Sequence, residues 1–225
     1  AGDFNGDGRS ELAIYAKNKA GKSIILHLGR SSATGPWTHK EIPVADALIG
    51  GRATAADVNN DRKEDLITLQ QDATKGLQMW VAVSSATSIG TAVAKWSDKN
   101  FEIGRVNNPV AIDTDRNGYA ELALFRQEKA AKSDNGASLH IFSGLNGTTT
   151  RAERWRSPGG FGAVKTFAVA EDLNGDDHTD LLLHYADVGY RTITYAMLNS
   201  STGFHRVRLV MEDNLKIAEL RVAES

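Results

Sequence analysis

Oxygen-bearing side chains recur at positions 1, 3, 5 and 9 of four short segments, the spacing by which a loop surrounds a hard divalent cation with carboxylates and amide carbonyls. The segments run from Asp3 to Glu11, Asp57 to Asp65, Asp113 to Glu121 and Asp172 to Asp180. Their candidate ligands are Asp3, Asn5, Asp7 and Glu11; Asp57, Asn59, Asp61 and Asp65; Asp113, Asp115, Asn117 and Glu121; and Asp172, Asn174, Asp176 and Asp180. At position 7, Arg9, Lys63, Tyr119 and His178 would contribute only a backbone carbonyl. Each set places three carboxylates and one amide around the ion, with water completing the shell. Glycine at position 6 eases a sharp turn, as Gly8 and Gly118 can, whereas Arg62 and Asp177 stand there in loops two and four. Positive φ at a non-glycine residue costs on the order of 1 kcal/mol, so those two loops are expected to be weaker sites unless their turns differ. The best site is expected at loop one.

An acid at position 9 separates these loops from the EF-hand, which needs a bidentate glutamate at position 12 in a helix. Simple Asx turns are the bland alternative; they leave unexplained why three acids converge in every copy. The expected cofactor is calcium, up to four ions, in a structural role: carboxylates clustered without a cation repel, so ion binding is linked to folding. A catalytic metal needs an open position beside a base or nucleophile, and a repeated loop singles out none.

The elements that must hold these loops are strands. First aspartates lie 54, 56 and 59 residues apart, and a fixed period points to a repeat architecture. Each loop opens onto a strand-like run: Glu11–Tyr15, Asp65–Leu69, Glu121–Phe125 and Asp180–His184. A second apolar run follows (Ser23–Leu28, Leu77–Val83, Ser138–Phe142, Thr192–Met197), then a third (Trp37–Val44, Ala92–Trp96, Arg151–Trp155, Phe204–Met211). A fourth leads into the next loop at Ala53–Ala56, Pro109–Ile112 and Ala168–Glu171. Four short strands per repeat predict an all-β fold, a β-propeller of four-stranded blades, with repeats at approximately 1–54, 55–110, 111–169 and 170–225 in a single region 1–225. Arg221–Ser225 aligns with Ala168–Asp172, so both ends fall at one phase of the repeat. The expectation is a piece of a larger propeller; closure of a four-bladed ring by the last strand is the alternative.

Hydrophobic content of 41% and charged content of 24% are those of a globular chain. The absence of cysteine excludes a disulfide framework and thiolate-bound zinc. No apolar run approaches the roughly 20 residues that span a bilayer. Twelve acidic residues stand at loop ligand positions; four bound divalent ions would turn the net charge of −2 into +6, a mild bias towards anionic partners.

No catalytic constellation emerges, and an enzyme is not expected. His27, His140 and His184 lie in strand runs, where packed or edge positions are expected, and neither a nucleophile elbow nor a phosphate loop is present. Trp37, Trp96 and Trp155 recur at 59-residue intervals. Residues at one phase of a repeat do one job, so packing is the first reading and sugar stacking the second. Asn146-Gly147-Thr148 and Asn199-Ser200-Ser201 have the form of glycosylation sequons.

The loops, the strands after them, and the Phe161-Gly162 and Phe101…Gly104 segments resemble FG-GAP/VCBS repeats. Those repeats build the seven-bladed propeller of integrin α subunits, fungal propeller lectins and many secreted bacterial proteins. The resemblance covers nearly the whole chain; Arg62, Asp177 and the number of repeats depart from it. It implies calcium at the loop residues, an extracellular, secreted or cell-surface setting, and a recognition role. The expected partner is a glycan, with neither nucleic acid nor a membrane span. Protein–protein adhesion, or an accessory module of a larger secreted enzyme or toxin, is the alternative.

Overall fold

The structure is a computed structural model that describes residues 1–30, 32, 34–44, 50–128, 136–157, 167–186, 192–200 and 203–212. The described chain is all-β apart from a single 3-10 turn at Ile103–Arg105. It divides into two compact units. The first is Ala1–Ile103 with Gly118–Ala120 and Gly144–Thr149; the second is Gly104–Asn117, Glu121–Ser143 and the described residues from Thr150 on.

In the first unit β1 (Leu12–Lys17), β2 (Ser23–Arg30) and β3 (Trp37–Pro43) form a three-stranded antiparallel meander. The next sheet takes β4 (Arg52–Ala56), β5 (Asp65–Asp72), β6 (Gly76–Ala82) and β9 (Val93–Asp98) in that order. Between β6 and β9 a small hairpin, β7 (Ser84–Ser85) and β8 (Ser88–Ile89), is inserted, an element the sequence periodicity did not predict. The second unit holds two four-stranded meanders: β10 (Val110–Ile112), β11 (Glu121–Gln127), β12 (Ala137–Ser143) and β13 (Thr150–Ser157), then β14 (Phe167–Glu171), β15 (Asp180–Ala186), β16 (Thr192–Leu198) and β17 (His205–Glu212).

All fifteen strand runs read from the sequence coincide with strands. Their grouping differs in phase from the repeat boundaries: β4, β10 and β14 pair with the strand after the loop, Ala56 facing Asp65, Ile112 facing Glu121 and Glu171 facing Asp180. Each acidic loop is therefore a connection inside one sheet. In the first sheet an isolated bridge, Gly2 to Glu11, stands at this place. Leu12 and Ile14 of β1 are accordingly 41% and 46% exposed, while Leu66, Leu122 and Leu124 at the same phase are buried. The predicted strand role of Arg221–Ser225 lies outside the described residues, as does Phe161-Gly162.

Middle strands are apolar on both faces, as in Leu66-Ile67-Thr68-Leu69 and Leu122-Ala123-Leu124-Phe125, because each is covered on both sides. The outer strands β3 and β13 are mostly exposed, and β9 is exposed or half-buried throughout. Their Lys40, Glu41, Lys95, Arg151 and Arg154 hinder edge-to-edge pairing. The first unit's core gathers Phe4, Ile25, Ile42, Leu66, Ala82 and Ile89; the second unit's is built on Phe125, Leu139, Leu181, Leu183, Tyr195 and Met197 among others. Phe4 is position 2 of loop one, so the loop is anchored in the core by a side chain whose burial contributes about 2–3 kcal/mol.

Candidate metal centres and a tryptophan-lined cavity

All four loops share one backbone. Position 4 has positive φ in every copy (Gly6 78°, Asn60 58°, Arg116 61°, Gly175 76°), and so does position 6 (Gly8 80°, Arg62 64°, Gly118 81°, Asp177 62°). The turns of loops two and four therefore do not differ, and Arg62 and Asp177 carry the left-handed strain expected of them. The demand at position 4 went unread, although glycine and asparagine, the types that tolerate this region, fill it in three copies.

Position 1 is the hub. The Asp3 carboxylate accepts the N–H groups of Gly6, Asp7 and Gly8 at 2.7, 3.1 and 2.8 Å. Asp57 accepts from Asn59, Asp61 and Arg62, Asp172 from Asn174, Gly175 and Asp177, and Asp113 from Asn117. Position 3 accepts the N–H of position 5 throughout: Asn5 from Asp7, Asn59 from Asp61, Asp115 from Asn117, Asn174 from Asp176. Position 5 does the same for position 7 at Arg9, Lys63 and His178. The Asx turns weighed against metal binding are thus present, and they gather the oxygens. A carboxylate offers about four lone-pair sites, so N–H donation does not exhaust it.

Position 9 is buried in every copy, Glu11, Asp65, Glu121 and Asp180 being at most 5% exposed. Each ties down the N–H of position 2: Phe4 to Glu11 at 3.0 Å, Val58 to Asp65 at 3.1 Å, Thr114 to Glu121 at 2.8 Å and Leu173 to Asp180 at 3.0 Å. The aspartates take a second buried N–H from just past the end of the next strand, Ser84 to Asp65 and Asn199 to Asp180, both at 2.7 Å. The glutamates turn to their own loops instead, where Glu11 accepts the Asn5 amide and Glu121 the Thr114 hydroxyl. Burial pushes the Asp65 carboxyl up to about 6, against the two N–H donors, with Asp61 and Asp57 adding repulsion. It raises Glu11 and Glu121 too, each with two loop aspartates adding to the effect.

Among the described residues, three acidic ligand atoms lie within 4.8 Å of one another at Asp3, Asp7 and Glu11 and at Asp113, Asp115 and Glu121. Loops two and four do not assemble such a group. In loop two the Lys63 ammonium lies 2.9 Å from Asp61 Oδ2. Burial alone would raise Asp61, but hydrogen bonds from Lys63 and Asn59 hold it below the usual range. In loop one Arg9 pairs with Asp7 at 3.0 Å. Tyr119 is exposed.

Successive loops are tied together. Within the first unit the Asp3 N–H donates to the Glu64 carboxylate at 2.7 Å and the Glu64 N–H to the Asp3 carbonyl at 2.8 Å. The Ala120 N–H repeats the latter bond on Asp57. Within the second unit the Arg116 guanidinium donates to the Asp176 and Asp177 carbonyls, both at 2.6 Å, and Asn199 donates to the Thr114 carbonyl. Asn199 is 2% exposed and bonded in this way, so it is a scaffold residue and no glycosylation acceptor.

The tryptophans are not equivalent. Trp96 faces Met79 and Trp155 faces Leu139, each beside a β-bulge, and both pack edge-on against phenylalanines, Phe101 and Phe125. The residue at that phase of the first sheet is Ile42, facing Ile25 in a register with no bulge. Trp37 faces Arg30 at the far end of the β2–β3 hairpin and is 53% exposed. Equal intervals therefore conceal unequal registers. His140 and His184 are buried in their strands and His27 is half-buried with its ring edge-on to Phe4. An open cavity of about 200 Å³ is lined by Trp37, Arg30, Arg9, Ser10, Glu11 and Ser32.

No family model matches the chain, and no curated protein matches it. Solved structures similar in fold include AofleA from Arthrobotrys oligospora, 12% identical with a TM-score of 0.53, and a variant of it with three arginines replaced by alanine, 11% identical with a TM-score of 0.54. Each alignment covers 90% of this chain and 55% of the other, so the chain spans about half the length of the structures it matches.

Proposed function

We propose that the chain is a calcium-stabilised β-propeller module of the FG-GAP/VCBS type, extracellular, that recognises glycans. The observation that carries the calcium part is the loop geometry repeated four times, in which a hub aspartate and two further side chains present oxygens from one backbone. The all-oxygen donor set suits a hard cation, and a bound ion would neutralise carboxylates that otherwise repel. Support for the propeller is the succession of antiparallel meanders and the bonds from each loop to the next. The glycan part draws on the exposed Trp37 ring at a cavity that arginine, serine and glutamate residues also line, because an aromatic face suits the apolar face of a pyranose.

The test is a melt and a glycan panel, each run in millimolar calcium and again in chelator. Calcium should raise the melting temperature, and a free sugar should compete for the immobilised glycan. A melt indifferent to chelator sinks the calcium reading. A folded, calcium-loaded protein that ignores every glycan sinks the recognition reading.

A further inference from the structure

We propose that the cavity beside Trp37 is a subsite for one sugar-acid residue, a pyranose bearing a carboxylate; this rests on the glycan reading above and narrows it to one place and one ligand class. Trp37 and Arg30 are opposed across the β2–β3 hairpin, and the guanidinium carbon lies 5.6 Å from the indole centroid. Arg30 Nε donates to the Gly35 carbonyl at 3.0 Å, which fixes how the planar group is presented. A stack that served packing alone would bury the ring, as Trp96 and Trp155 are partly buried against phenylalanines. Trp37 instead leaves about half its surface open, in a cavity that also carries the Ser10 and Ser32 side chains.

Charge selects the ligand. Arg30 and Arg9, the latter paired with Asp7 at 3.0 Å, face the cavity with one acid, Glu11, whose oxygens already accept the Phe4 N–H and the Asn5 amide. An adjoining cavity of about 250 Å³ shares Glu11 and Arg30 and adds Asp7, already paired with Arg9, together with His39 and Lys40 on the same strand as Trp37. With the Arg9–Asp7 pair set aside, the balance of Arg30 and Lys40 against Glu11 is positive. A carboxylate matches a guanidinium fork in two parallel hydrogen bonds. The pyranose C–H face covers the indole, and serine hydroxyls can donate to or accept from ring hydroxyls. Both cavities are smaller than the roughly 300–1,000 Å³ of drug-sized ligand pockets, which suits a single ring.

The experiment titrates the full chain with methyl β-glucuronide and with methyl β-glucoside, which differ only in a C6 carboxylate against a hydroxymethyl group. Calorimetry gives the affinity, and the ¹⁵N-indole resonance assigned through Trp37→Phe gives the place. The glucuronide should bind at least tenfold more tightly than the glucoside and shift the Trp37 resonance. Trp37→Ala and Arg30→Gln should each lose at least tenfold, and Arg30→Lys should lose affinity too because the fork is gone. Both side chains are partly or largely exposed, and an unchanged melt confirms that each variant is folded. Equal affinity for the two glycosides overturns the proposal, as does undiminished binding by both variants. Acetate competing as well as the glucuronide also overturns it, by reducing the site to a carboxylate trap. If other glycans bind and the variants do not disturb them, the glycan reading survives and this subsite falls. If no sugar binds at all, both fall.

Discussion

Loops one and two belong to the same compact unit and share a backbone, yet one methylene separates what their last acids do. Asp65 is short enough to sit between two buried N–H groups, Val58 and Ser84, at 3.1 and 2.7 Å. Glu11 holds only the equivalent of the first, Phe4, and its other oxygen turns back to Asn5. The carboxylate of Glu11 thereby stays within 4.8 Å of Asp3 and Asp7, and no such group forms in loop two. The second unit repeats the contrast, with Glu121 beside Asp113 and Asp115, and Asp180 clamped by Leu173 and Asn199. Glycine at position 6 goes with glutamate at position 9, and a non-glycine residue with aspartate. One loop design thus serves two ends: an acid spent on the scaffold, or an acid kept beside other acids.

The largest expected effect tests that division directly. Asp65→Ala leaves the Val58 and Ser84 N–H groups without their acceptor in a buried site, at about 1–3 kcal/mol each. Denaturant unfolding should show a loss of about 4 kcal/mol, equal in calcium and in chelator. Glu11→Ala should lose about 1–3 kcal/mol in either condition for the Phe4 N–H, and a further amount only when calcium is present. A loss at Asp65 that disappears in chelator would show that this residue, too, is a ligand, and the comparison would collapse.

Counting ions comes next. Calorimetric titration should find two tight equivalents, assigned to loops one and three, above any weaker binding. Asp3→Ala should remove one tight equivalent, whereas Asp57→Ala should leave the tight count unchanged. Each tight site adds about 2.7 kcal/mol of stability at calcium one hundredfold above its dissociation constant. Four equal sites, or a tight count that Asp57→Ala lowers, would mean that aspartate at position 9 is no handicap.

Much of this was legible in the residues. Acids at fixed positions located the loops, and short apolar runs located the strands on either side. The position-6 substitutions correctly marked loops two and four as strained. What could not be read was the burial of position 9: an acid opening a strand looks like a ligand until the N–H groups of Ser84 and Asn199, 19 residues away, are seen to reach it. The tryptophan interval misled for a related reason. Trp37, Trp96 and Trp155 stand 34, 39 and 42 residues after the first aspartates of their loops, so equal spacing along the chain does not place them at one register across the sheets. Side-chain contacts made through a fold have no period in the sequence.

A smaller effect tests the backbone. Arg62 holds φ at 64° where Gly8 holds 80°. Arg62→Gly should therefore stabilise the first unit by about 1 kcal/mol, and Gly8→Arg should cost about as much. Thermal melts in chelator isolate the conformational term from any ion. A destabilising Arg62→Gly would show that the arginine side chain contributes more than its backbone costs, and the strain would then be a consequence of packing.

The smallest effect falls on Lys63. Its ammonium lies 2.9 Å from Asp61 Oδ2, with the lysine side chain 20% exposed, and holds there an oxygen that a cation in loop two would need. A pair of this kind, partly exposed, contributes about 0.2–1 kcal/mol, so releasing it should tighten calcium at loop two only a few-fold. Lys63→Ala, titrated in the Asp3→Ala background to suppress loop one, makes so small a change measurable. Arg9→Ala is the matched control, because Arg9 pairs with Asp7 at 3.0 Å in the same way. If both substitutions tighten their loops by the same factor, the basic residue at position 7 is a common brake, and the difference between the loops rests on the position-9 acid. If only Lys63→Ala does, loop two is weak because of its lysine, and the length of Asp65 matters less than the hydrogen bonds suggest.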